Sequence, residues 1–278
     1  MINRIKDIPA LRRWYYTSNS PVPISRFRAD LASAVARNRQ TLAGIEHWLD
    51  EDVYRASIFQ YGLPNHIRAF IDDPIDNRPT YSDLIAHLAA QIQGLHYLEL
   101  GPSVGKNFFQ VANAVHNAEL VAVDIETINP VLEKQLTLID RQDWPTMAGS
   151  KRTGASTHSS YRFNDNRLEY IAGDLFDGAT WKRLAGRKFD QIFSDAFHSP
   201  DALLMEWEWI SKLELMADSR FAMVWDDLNS DEMRQAFYRI AGAIRAKRPS
   251  TVVSLELFQG WVGKRERLHP IGIVQVPA

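Results

Sequence analysis

From Thr80 to the end of the chain, short apolar runs alternate with amphipathic stretches, and this rhythm limits the possible folds more than any other feature of the sequence. Residues 96–100, 120–124, 168–172, 189–194 and 221–225 are runs of about five residues rich in apolar and β-branched types, the mark of buried strands. Between them lie helical patterns at 84–90, 106–115, 131–139, 202–215 and 231–247, the first announced by the capping sequence Thr80-Tyr81-Ser82-Asp83. Strand–helix alternation calls for a parallel sheet with helices on both faces. Two final strands, 251–258 and 271–276, are joined by about a dozen residues, which suggests an antiparallel hairpin at one edge. The expected fold is α/β, a Rossmann-like doubly wound sheet of seven strands, mostly parallel.

Two regions break the rhythm. Residues 1–75 carry an amphipathic pattern over 24–49 (Phe27, Leu31, Ala34, Val35, Leu42, Ile45, Trp48) and several prolines, so they are expected to form a helical extension. The remainder, 76–278, is the expected α/β domain. Within it, residues 141–167 are rich in Gly, Ser, Thr and Asn without an apolar period, and a mobile inserted loop is expected there.

Composition removes whole classes of chemistry. The chain has no cysteine, so disulfides, thiolate nucleophiles, iron–sulfur clusters and Cys-ligated zinc are excluded. The formal net charge is −2, and only the first 45 residues are basic, with eight Lys/Arg against two Asp, so nucleic acid is not the expected partner. No apolar run reaches the length of a membrane span and the N-terminus has no signal-peptide core, so the expectation is a cytoplasmic protein.

The strongest chemical signal is Glu99-Leu100-Gly101-Pro102-Ser103-Val104-Gly105, where a strand runs through a glycine loop into a helix. A phosphate-binding P-loop needs four residues between its glycines and then Lys-Ser/Thr. Three intervene here, and Asn107 follows Lys106. A dinucleotide fingerprint needs G-x-G-x-x-G and is also absent. Asp124 ends the second strand 19 residues after Gly105. Asp174 follows the third strand in Gly173-Asp174-Leu175, and Asp195 closes the fourth. Singly, Asp124 and Asp174 could be helix caps.

Together these residues resemble the class I S-adenosylmethionine-dependent methyltransferases, whose first motif is E/D-x-G-x-G-x-G, with Ser103 in place of the middle glycine. The resemblance covers roughly residues 97–276. It implies that S-adenosylmethionine is held by Glu99, Gly101, Ser103, Gly105, Asp124, Asp174, Leu175 and Asp195, with Asp124 on the ribose and Asp174 near the adenine amino group.

A second group follows downstream, Asp195-Ala196-Phe197-His198 and Asp226-Asp227, at the ends of neighbouring strands. Three carboxylates placed together repel unless a cation or protons neutralise them, and Mg2+ prefers such oxygen donors. The arrangement is similar to the metal-dependent catechol-type O-methyltransferases, with two departures. His198 stands where that family has a lysine base, and Asp227 stands where it has an asparagine. The resemblance implies a small hydroxyl-bearing substrate, His198 and Asp195 as catalytic residues, and a divalent ion on Asp195, Asp226 and Asp227. It leaves room for a homodimer. Rival expectations are a metal-independent N- or C-methyltransferase and a non-catalytic S-adenosylmethionine-binding protein. The plain structural alternatives are that His198 caps the helix beginning near Pro200 and that Asp226-Asp227 caps the next one.

Overall fold

The computed structural model describes residues 30–44, 78–145, 155–259 and 268–277. Its elements in chain order are α1 (Ala32–Ala43), α2 (Tyr81–Ala89), β1 (His96–Leu100), α3 (Lys106–Ala114), β2 (Glu119–Asp124), α4 (Pro130–Glu133), β3 (Thr137–Trp144), β4 (Ser156–Phe163), β5 (Asn166–Ala172), α5 (Gly178–Lys182), β6 (Gln191–Ser194), α6 (Pro200–Lys212), β7 (Phe221–Trp225), α7 (Asp231–Lys247), β8 (Val252–Gln259) and β9 (Leu268–Val276).

One sheet carries all nine strands in the order β3-β4-β5-β2-β1-β6-β7-β9-β8. The five strands β5, β2, β1, β6 and β7 are mutually parallel, and β8 and β9 form the antiparallel hairpin at one edge. The central strands are apolar on both faces because each face is covered by helices. Leu98, Leu100, Val121, Val123, Ile192 and Met223 point into one core with Trp181, Leu203, Ile210 and Phe237. Tyr97, Leu120, Ala122, Phe193 and Val224 alternate to the other face, against Leu84, Phe108 and Val111. Period-two alternation within an all-apolar strand thus divides one run between two cores.

The sheet has nine strands rather than the expected seven. The two additional strands replace two other expectations at once. The helix expected over 131–139 is only one turn, α4, and the chain then leaves it as β3. The expected mobile insert contains most of an antiparallel hairpin, β3 paired to β4, and β4 paired in turn to β5. Residues 146–154 lie outside the described residues. The hairpin was hidden because β3 is exposed along almost its whole length and therefore carries no apolar alternation. An edge strand such as β3 needs only main-chain pairing, and β4, between β3 and β5, is built from Ser, Thr and Tyr rather than aliphatic residues. Specific side chains fasten it: Tyr161 donates to Glu133 at 2.7 Å, and Arg141 donates to Ser159 and Tyr161.

Helix α1 falls inside the amphipathic stretch read from the sequence. Its Val35 and the N-cap residue Leu31 are buried in the same core as α2 and α3. Arg39 grips the buried Asp83 through both carboxylate oxygens, at 3.0 and 2.8 Å, and Asp83 also accepts from Thr80 N, closing the capping box of α2. The rest of residues 1–75 lies outside the described residues.

Candidate functional site

Strand order reverses between β1 and β6: the chain goes from β1 out to β2 and β5, then returns to β6 and β7 on the other side. At such a point the loops leaving the carboxyl ends diverge and open a crevice. A cleft of about 410 Å³ lies there, lined by Gly101, Ser103, Val123, Asp124, Ile125, Glu126, Asp174, Leu175, Phe176 and residues 195–198.

The glycine loop forms its floor. Gly101 has φ +77°, and a Cβ there would lie 2.3 Å from Ala196 Cα, so glycine is needed for the close approach of the β6–α6 turn. Ser103 takes φ 53°, the left-handed conformation that a glycine adopts without cost. Its N–H donates to Asp124 Oδ2 at 2.8 Å, and Glu126 N donates to Oδ1 at 2.8 Å. Asp124 therefore ties the β1 loop to the β2 loop. A carboxylate has about four acceptor sites, so ribose hydroxyls can add to these bonds. Asp174 turns its own loop by accepting from Phe176 N at 2.9 Å, and Leu175 O accepts from Trp181 Nε1 at 2.7 Å. Neither acid caps an α-helix.

Two of the expected cofactor residues stand behind this floor. Glu99 is buried, accepting from Tyr97 Oη at 2.7 Å and Asn107 Nδ2 at 2.8 Å. Burial raises its pKa to about 7 despite those bonds, with the Asp124 charge adding to the rise. Gly105 is the left-handed N-cap of α3, where a Cβ would meet Leu132 Cδ1 at 2.6 Å.

The acidic group gathers on the other side. Asp195 directly follows β6, and Asp226 and Asp227 directly follow β7. Burial, then the charges of Asp226, Asp227 and Glu99, hold Asp195 well above the usual carboxylate range. His198 lies between the acids, Nε2 3.6 Å from Asp195 Oδ1 and Nδ1 3.8 Å from Asp227 Oδ2, with its side chain 44% exposed to the cleft. It does not cap α6: Ser199 does, accepting from Ala202 N. Likewise Ser230, not the Asp pair, caps α7.

Sequence reasoning missed His269. No ligand spacing links it to anything nearby in the chain. The hairpin register brings it from β9 to the end of β7, where Nδ1 lies 2.9 Å from both oxygens of Asp226 and 3.0 Å from Asp227 Oδ1. Burial works against its charge, but hydrogen bonds and attraction from the two carboxylates carry its pKa to about 9. Donor atoms of Asp226, Asp227 and His269 all fall within 4.8 Å of one another, and all three residues are buried. Asp195 is beside this trio rather than part of it. Tyr81, the first residue of α2, packs its ring 5.2 Å from that of His269.

No protein-family model matches the chain, and no curated protein matches it. Among solved structures, an O-methyltransferase from Bacillus cereus in complex with SAH aligns over 99% of this chain and 100% of that one, at 17% identity and a TM-score of 0.47. The O-methyltransferase TomG from Streptomyces achromogenes, in complex with SAM, aligns over 96% of each chain at 17% identity and a TM-score of 0.45. A protein-(glutamine-N5) methyltransferase from Alicyclobacillus acidocaldarius covers 76% of this chain and 97% of its own, at 11% identity and a TM-score of 0.37. Likeness this distant fixes no activity. Among the described residues no helix is long and apolar enough to cross a membrane.

Proposed function

We propose that the protein binds S-adenosylmethionine in the switch-point cleft and transfers its methyl group to an oxygen of a small hydroxyl-bearing molecule. The observation that carries this reading is the juxtaposition within one cleft of the Gly101–Ser103–Asp124 floor and a histidine–carboxylate group. The cleft fits the cofactor in size and in polar partners. Gly101 and Ser103 bring the main chain close, Asp124 offers acceptors to a ribose, and Asp174 with Leu175 forms the end suited to a purine. When bound, the cofactor supplies an already activated sulfonium methyl group, so the protein contributes chiefly proximity and alignment.

His198 is the proposed base. It opens to the cleft and lies between two carboxylates, 3.6 Å from Asp195 and 3.8 Å from Asp227, within reach of a substrate hydroxyl proton. Asp195 orients it. Asp226, Asp227 and His269 would suit a divalent cation once the His269 proton is displaced, with Asp195 at the margin, and a cation there would lower the pKa of a substrate hydroxyl. This departs from the all-carboxylate set expected from the sequence, and a nitrogen donor widens the choice from Mg2+ to ions such as Mn2+. Calorimetry with S-adenosylhomocysteine tests the cofactor. Methyl transfer to a panel of hydroxylated small molecules, with and without a chelator, tests the acceptor and the ion. Absence of binding overturns the whole reading; chelator-insensitive transfer removes only the cation.

A further inference from the structure

A buried acid lies one layer beneath the site and takes no part in the chemistry described above. Glu206 of α6 is fully buried within the apolar core, yet its only hydrogen bond among the described residues comes from Ser194, whose Oγ donates to Oε2 at 2.6 Å. Ser194 is the last residue of β6. It stands beside Trp225 in the β6–β7 register, and the Trp225 indole N–H also lacks a partner among the described residues. Polar groups thus lie directly below the two strand ends that carry Asp195 and Asp226, where packing alone would place apolar atoms.

The position of Glu206 suggests its purpose. The turn from β6 to α6 is only residues 195–199, and it presents Asp195, Ala196, Phe197 and His198 to the cleft. Asp195 N donates to Leu100 O at 2.9 Å, and the Ser199 cap fixes the far end. The Ser194–Glu206 bond joins the near end of the turn to the second turn of the helix that follows, so strand, turn and helix become a closed loop. A buried carboxyl is a costly way to make one contact, since burial raises its pKa to about 7. Retaining such a group directly under a site exchanges stability for a fixed geometry.

We propose that Glu206 is a positioning residue: through Ser194 it staples the β6–α6 turn and so fixes the orientation of His198 against Asp195. The consequence for turnover rests on the methyl-transfer reading; the staple itself does not. The test uses the full chain with 13C-labelled histidine, following the ring signal of His198, identified by its loss in His198→Gln. Glu206→Leu and Ser194→Ala should shift and broaden that signal. Glu206→Gln, whose amide oxygen still accepts from Ser194, should restore it. At pH 8 Glu206→Leu should unfold at a temperature no lower than the parent protein, since it removes a buried ionised group. A His198 signal unchanged in both Glu206→Leu and Ser194→Ala would reduce Glu206 to a core residue and overturn the proposal. Should the leucine variant fail to fold, Ser194→Ala carries the test. S-adenosylhomocysteine calorimetry on the parent protein is read separately, so failure of the cofactor reading is distinguishable from failure of the staple.

Discussion

The two halves of the candidate site are built in opposite ways. On the β1–β2–β5 side, acids accept main-chain N–H groups: Asp124 from Ser103 and Glu126, Asp174 from Phe176. On the β6–β7–β9 side, acids face one another and two histidines, and burial with the neighbouring acids holds Asp195 above the usual carboxylate range. The first half is preorganised by the backbone, as suits a fixed ligand. The second is held by contacts among side chains, as suits a reacting centre. Variants in the two halves should therefore fail differently.

The largest effect should come from the seam between them. Gly101→Val places a side chain against the Ala196 backbone and forces a strained φ, so it should abolish S-adenosylhomocysteine binding and lower the yield of folded protein. Retained binding by calorimetry would show that the two halves are less tightly joined than the contact implies.

Next are two variants confined to the second half. His269→Ala leaves Asp226 and Asp227 buried without their partner and should cost about 3–5 kcal/mol of stability by denaturant unfolding of metal-free protein. His198→Ala should fold normally, bind the cofactor unchanged and lose about 10²–10⁴-fold in turnover. If His198→Ala instead weakened cofactor binding and spared turnover, the division between the halves would be misplaced.

Asp124→Ala tests the first half. It should weaken S-adenosylhomocysteine binding by about 1–3 kcal/mol, the cost of losing a charged hydrogen-bond partner. Unchanged affinity in calorimetry would remove Asp124 from the ligand.

The smallest effect is a pH dependence beneath the second half. Glu206 is raised from 4.5 to about 7 in the folded chain, so the folded state holds its proton longer. The stability this contributes is fully present below pH 4.5 and is lost as the pH rises through 7. Glu206→Gln should flatten that fall in urea unfolding measured from pH 5 to pH 8. An unaltered slope would assign the dependence to other groups.

The first half was far more legible in the sequence than the second. Gly101, Ser103, Asp124, Asp174 and Leu175 belong to local strand–loop units, so their order along the chain already implies their arrangement. The acids of the second half were visible for the same reason, as residues at strand ends. His269 was not, because its contact with Asp226 spans 43 residues and exists only through the β7–β9 register. Glu206 was equally hidden: nothing in α6 marks which of its acids turns inward.

The sequence alone determined the alternating strands and helices, the parallel centre, the closing hairpin and the glycine loop with its acids. These follow from periodicity and local turn chemistry, which act over a few residues. Tertiary structure decided the rest. It made a strand pair from residues with no apolar pattern, because pairing at a sheet edge uses the backbone rather than buried side chains. It moved Glu99 and Gly105 behind the cleft, and it set an imidazole between Asp226 and Asp227, because buried charge must find a partner wherever the fold supplies one.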